Sequence, residues 1–143
     1  MDVKIKKLCD TAVVPKYAKD GDAGLDLTAT SYEFYRNNDN HVYGTGLAIE
    51  IPKGYVGLIF PRSSNRKTDA YLTNHVGVID SGCRGEIMIT FKNRDLYNKE
   101  VPYQVGDRIA QLIIIPYPSI NLVEVDELSD TERGEGGHGS TGK

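Results

Sequence analysis

Apolar and polar residues alternate in two stretches of the chain. In "LAIEI", residues 47–51, Leu47, Ile49 and Ile51 fall on one side, and in "EIMITFK", residues 86–92, Ile87, Ile89 and Phe91 do the same. A period of two is the signature of a half-buried strand. "YVGLIF" and "QLIIIPY", residues 55–60 and 111–117, are near-continuous apolar runs bounded by Gly or Pro, the pattern of strands covered on both faces. "NLVEVDEL", residues 121–128, alternates again and is predicted to be a further strand, while no stretch carries a sustained helical stripe. "KDGDAG", "YGTG", "PKG", "NRDLYNKE" and "QVGD" punctuate the runs with turn residues. Short strands at close spacing predict an all-β barrel or jelly roll with Greek-key or similar connections.

Length and composition narrow this picture. A chain of 143 residues is one ordinary domain, long enough to bury a core without disulfide or metal staples. From about Ser129 the segment "SDTERGEGGHGSTGK" is glycine-rich and lacks large aliphatic residues, so residues 1–128 are expected to form the β domain and 129–143 a flexible arm. A net charge of −3 and a pI near 5.6 argue against a polynucleotide-binding surface but leave room for a local pocket for a small anion. Cys9 and Cys83 have neither C-x-x-C spacing nor the number for a disulfide framework, so reduced thiols are expected. There is no leader-like apolar block and no run of about 18 apolar residues, so no membrane association is expected. The expected location is the cytoplasm, or the nucleus or host cytosol if the source is eukaryotic or viral.

Several segments carry candidate chemistry, each with a plainer alternative. Gly137–Lys143 fits G-x-x-x-x-G-K, but the chain ends before the Ser/Thr and the helix a P-loop needs, so an ATPase reading is rejected. The glycine-rich arm with Arg133 can wrap an anion using backbone N–H groups and a guanidinium fork; a mobile terminus explains the composition equally well. "PRSSN" puts Arg62, Ser63 and Ser64 into one turn, able to bind phosphate oxygens or to serve as an ordinary turn. In "AGLDL", Asp26 is either a structural hydrogen-bond partner or a holder of metal-bound water. "VGDRIAQ" is a Gly-Asp turn entering a strand that bears Gln111. His41, His75 and His138 lack metal-ligand spacing, and no Ser or Cys sits in a nucleophile elbow. In "GVIDSGCRGE" an acid, Asp80, follows an apolar strand-like run and is flanked by glycines.

In chain order, "AGLDL", "PRSSN", "GVIDSGCRGE", "GDRIAQ" and "RGEGGHGSTG" resemble the five signature segments of the homotrimeric dUTP pyrophosphatases, or dUTPases, over Ala23 to Gly142. The resemblance implies a jelly-roll-like distorted β-barrel with a flexible glycine-rich C-terminal arm. It also implies a homotrimer with shared active sites, each closed by a neighbour's arm, that hydrolyses dUTP to dUMP and diphosphate with Mg2+. By that carry-over Asp80 is the catalytic carboxylate that orients or deprotonates the attacking water. Asp26 holds magnesium-bound water, and Arg62, Ser63, Ser64, Gln111, Arg133, Ser140 and Thr141 bind the phosphate chain. Asn74, Gly77, Val78 and Ile79 read the uracil edge, with Cys83 and His138 on the sugar and base.

Two positions depart from the family pattern. Cys83 stands where a Tyr usually lies under the deoxyribose, and His138 where a Phe usually covers the base. Cys83 cannot supply that platform, so weaker sugar discrimination or substrate affinity is expected, with Tyr71 a candidate to fill the space. The fold-related dCTP deaminases share an "RSS" turn, but their general base aligns near Thr90, which cannot play that part. A nucleotide-sensing or protein-binding module without turnover, and a purely structural jelly roll, complete the alternatives.

Overall fold

The computed structural model describes residues 1–142; Lys143, the last residue of the predicted arm and of the G-x-x-x-x-G-K match, lies outside them. The described strands are β1 (Lys4–Lys7), β2 (Leu25–Thr28), β3 (Ser31–Tyr35), β4 (Asn40–Gly44), β5 (Leu47–Glu50), β6 (Tyr55–Pro61), β7 (Ala70–Leu72), β8 (Gly77–Ile79), β9 (Met88–Asn93) and β10 (Arg108–Pro116). A 3₁₀ turn, Ser63–Lys67, is the only helical element among the described residues. Every pairing is antiparallel. The order is β2-β10-β6-β8 in one four-stranded sheet, β3-β4-β9-β7 in the other, and β1-β5 in a two-stranded ribbon. The all-β, jelly-roll-like expectation therefore holds, but the sheets do not close: among the described residues the outer edges of β2, β8, β3 and β7 have no strand partner.

The period-two stripes point where the sequence says. Leu47, Ile49 and Ile51, and Ile87, Ile89 and Phe91, are all buried, and they pack with Leu27, Tyr43, Ile109 and Leu112 into one core between the sheets. Each such side chain contributes roughly 1.5–3 kcal/mol of burial. The runs expected to be covered on both faces are covered on one. Ile59 and Leu112 are cross-strand partners in the core, whereas Leu58 opposite Ile113, and Val56 opposite Ile115, line the other face and remain half-covered or exposed. Among the described residues no strand follows β10, and "NLVEVDEL" forms no regular element, with Leu122, Val123, Val125 and Leu128 exposed. Alternation qualifies a segment as a strand only if an edge is available to bond it, and none of this chain's own edges receives it.

One buried group predicts a pH response. His41 is 3% exposed and its Nδ1 hydrogen-bonds the Tyr32 hydroxyl at 3.0 Å. Burial pushes its pKa down, nearby Asp39 pulls it partly back, and Lys99 adds to the depression. The folded protein thus keeps His41 neutral in a range where the unfolded chain, with a pKa of about 6.5, takes up a proton. Stability is full above that value and declines as the pH falls below it, until the folded form is protonated as well. Thermal unfolding between neutral pH and pH ~5 should show a falling Tm below about 6.5 that is blunted in His41→Gln; equal slopes for both proteins would remove His41 as the cause.

Candidate functional site

Strand β10 assembles the arginine-bearing half of the site because it lies between β2 and β6. Its register sets Gln111 opposite Asp26 on one side and opposite Phe60 on the other, just before the turn that begins at Arg62. Arg62 Nε donates to Asp26 Oδ1 at 2.7 Å and Nη2 donates to Oδ2 at 3.3 Å, while Arg108 Nη1 donates to Oδ2 at 3.1 Å. Arg62 Nη1 also donates to Ser64 Oγ at 3.2 Å. One largely shielded carboxylate thus fixes two guanidiniums, and this trio retains one surplus positive charge. Asp22, Asp26, Arg62, Ser63, Arg108 and Gln111 line a cavity of about 340 Å3, in which the Asp22 carboxylate offsets the surplus charge of that trio.

Gly24 belongs to the same construction: a Cβ there would collide with Gln111 Oε1, so the glycine lets the amide lie against the β2 backbone. Gln111 Nε2 then donates to Pro61 O at 3.0 Å. The sequence reading missed Arg108. Its signal was its place in "GDRIAQ" beside Gln111, but only the β2–β10 pairing reveals Asp26 as its partner.

A second cavity, of about 240 Å3, lies by β8 and is lined by Asn74, Gly77, Val78, Ile79 and Cys83 together with Ile49, Ile59 and the Gly85–Met88 segment. Strand β8 bonds only β6, so its other edge offers unpaired backbone N–H and C=O groups. The Cys83 N–H donates to the Asp80 carbonyl at 3.0 Å, closing a turn that presents Asp80 just beyond the strand. Asp80 is exposed, and among the described residues its carboxylate forms no ion pair. Tyr71 does not line this cavity; its ring faces His75 at 6.1 Å. Cys9 and Cys83 are both free and exposed.

The two cavities share no lining residue, and neither includes the arm. From Thr131 the arm is a series of turns in which Arg133 Nε donates to Gly136 O at 2.7 Å, with His138 held at a positive φ of 50°. Arg133, His138, Ser140 and Thr141 are therefore not brought to Asp80 within one chain. Among the described residues no group of three or more His, Cys, Asp and Glu side chains could hold a metal. Asp26 nonetheless suits an outer-sphere role: three contacts leave room for one more on a carboxylate with about four lone-pair positions. Also among the described residues, no helix is long and apolar enough to cross a membrane.

An all-β chain with an arginine-bearing polar recess on one strand junction and a recess edged by free backbone groups on another presents a candidate nucleotide site. The dUTPase family model matches residues 10–142. A deoxyuridine 5'-triphosphate nucleotidohydrolase of Corynebacterium glutamicum is 42% identical over 142 residues, spanning 99% of this chain and 95% of that one. The dUTPase of Staphylococcus bacteriophage 80alpha, as a G164S mutant with dUpNHpp, superposes with a TM-score of 0.82 at 30% identity over 99% of each chain. A D95N dUTPase from phage phi11 of S. aureus, whose structure describes coordination of a structural Mg(II) ion, gives 0.74 at 27% identity over 89% of this chain and 98% of that one. The chain belongs to the dUTPase family.

Proposed function

We propose that this protein hydrolyses dUTP to dUMP and diphosphate, limiting uracil in DNA and supplying dUMP for dTTP synthesis. The observation that carries this reading is Asp80: an exposed carboxylate without an ion-pair partner, at the end of an edge strand beside a base-sized cavity. Such a carboxylate is free to take a proton from a water aimed at the α-phosphorus. The edge groups of Gly77–Ile79 and the Asn74 amide offer donors and acceptors to a pyrimidine edge, so a base with the wrong pattern leaves them unpaired, which is strong discrimination.

On the phosphate side, Arg62 and Arg108, fixed by Asp26, supply positive charge without having to reorganise, and Ser63, Ser64 and Gln111 add polar contacts. Asp26 would hold the water shell of a magnesium ion carried by the triphosphate. When bound, that ion would neutralise the phosphate charge and favour attack at the α-phosphorus. Arg133, Ser140 and Thr141 would close over the phosphates, and His138 over the base, when the 129–143 arm leaves its turns.

A homotrimer with shared sites accounts for three features of the single chain. The outer face of β6, β8 and β10 is apolar and partly open, with Val78, Leu58, Ile113, Val56 and Ile115 in adjacent rows. Residues 121–128 have strand pattern and acidic side chains but no partner, while β1, with Lys4, Lys6 and Lys7, pairs only with β5. The two recesses are separate within one chain, so copies that meet across these surfaces can complete one another's sites.

The test is diphosphate release from dUTP with magnesium, run beside dCTP, dTTP and UTP. Selective release from dUTP supports the reading, whereas a folded protein that binds dUTP and releases nothing ends it. Cys83 lines the cavity, and its thiol, smaller than a phenol ring, would leave room for a ribose hydroxyl. Cys83→Tyr is expected to raise the dUTP-over-UTP ratio of kcat/KM by about tenfold; an unchanged ratio would clear Cys83 of a part in sugar selection.

A further inference from the structure

Beneath the Arg62–Ser64 turn lies a hydrogen bond between two buried side chains. Tyr103, in the loop between β9 and β10, donates its hydroxyl to Asn65 Oδ1 at 2.7 Å, and both residues are 8% exposed. Asn65 is the hub of the 3₁₀ turn. Its N–H donates to Arg62 O at 2.9 Å, its carbonyl accepts from Thr68 N at 3.0 Å, and its Nδ2 donates to Ala70 O at 2.9 Å at the start of β7. The Asn65 amide is thereby fixed at both ends.

Tyr103 is just as constrained. Tyr43, fully buried on β4, donates its hydroxyl to Tyr103 O at 2.8 Å and accepts from Tyr103 N at 3.1 Å. The Tyr103 ring packs against Phe91 and Tyr43 at centroid distances of 5.1 and 6.2 Å. Burial pushes its phenol pKa up, so the hydroxyl remains a donor across the neutral range. Immediately after Tyr103, the Gln104 N–H donates to Asp107 Oδ2 at 2.8 Å in the turn that delivers Arg108 and then Gln111. A rigid ring anchored in the core therefore adds, through one hydroxyl, a tie from beneath between the Arg62–Ser64 turn and the Arg108–Gln111 segment, which from above share Asp26 and the Gln111 Nε2 bond to Pro61 O.

We propose that Tyr103, acting through Asn65, is a positioning residue for triphosphate binding: its hydroxyl sets where the Arg62–Ser64 turn stands relative to Arg108 and Gln111. This rests on the reading of that recess as the phosphate site. Tyr103→Phe keeps the ring and its packing but withdraws the donor, leaving Asn65 Oδ1 only the 3.4 Å contact from Thr68 Oγ1. With one buried neutral hydrogen bond unmade, affinity for dUpNHpp should fall about tenfold.

A merely structural role would weaken all ligands together, whereas the positioning role spares the base. Calorimetric titration with dUpNHpp and NMR titration with deoxyuridine, on wild type and Tyr103→Phe, separate the two. The expected result is weakened dUpNHpp binding with deoxyuridine affinity unchanged. Unchanged dUpNHpp binding, or equal losses for both ligands, overturns the positioning role alone. A wild-type protein that binds no dUpNHpp overturns it together with the phosphate-site reading.

Discussion

Asp80→Asn is expected to abolish diphosphate release from dUTP while leaving dUTP binding intact. The amide matches the carboxylate in size, so the turn closed by the Cys83 N–H on the Asp80 carbonyl has no reason to move. What it lacks is a basic oxygen able to take a proton from water, and loss of a positioned general base typically costs about 10²–10⁴-fold in rate. Asp80 is exposed and unpaired with any cation among the described residues, so stability should hardly change. Removing a negative charge near an anionic triphosphate should, if anything, tighten binding. Single-turnover diphosphate release and dUpNHpp titration on the same preparation check both halves. A variant that still turns over dUTP within a few-fold of wild type would mean that the base lies elsewhere.

The sequence carried the identity of the chemical groups better than their connections. Ile87, Ile89 and Phe91 declared a buried face because period two follows from the geometry of one strand, and that face is in the core. Asp26, Arg62, Ser63 and Gln111 each admitted a plain structural reading alone and were assigned together only through the family resemblance, and they line one recess. Arg108 and Tyr103 were not legible, because their roles depend on pairings 82 and 38 residues away along the chain, which no local pattern encodes. "NLVEVDEL" failed for the complementary reason: its alternation describes a face able to pair without saying whether any edge is there to receive it, and among the described residues none does. Arg133 and His138 came from the family resemblance, which already placed them over a neighbour's site, and within one chain the described arm bonds only within itself.

Deletion of residues 133–143 is the second large effect expected. The regular structure ends at Pro116 and the arm's turns bond only within the arm, so the truncated protein should fold and unfold as the full chain does. Arg133 donates its Nε–H to the Gly136 carbonyl at 2.7 Å, a bond that the proposed closure would exchange for phosphate oxygens. That exchange favours closure only when the triphosphate is present, because a phosphate carries full negative charge and can accept from the guanidinium bidentately, whereas the carbonyl it replaces is uncharged and takes one N–H. Closure would also exclude water from the reacting phosphate, so losing the arm removes both a clamp and a shield. The expected fall in kcat/KM for dUTP is about a hundredfold or more. Arg133→Lys keeps the charge but not the fork, and should fall between the two. Activity of the truncated protein equal to wild type, measured at limiting dUTP, would show that the recesses work without the arm. Equal losses for truncation and Arg133→Lys would instead place the arm's contribution in the guanidinium fork, with little left for His138, Ser140 and Thr141.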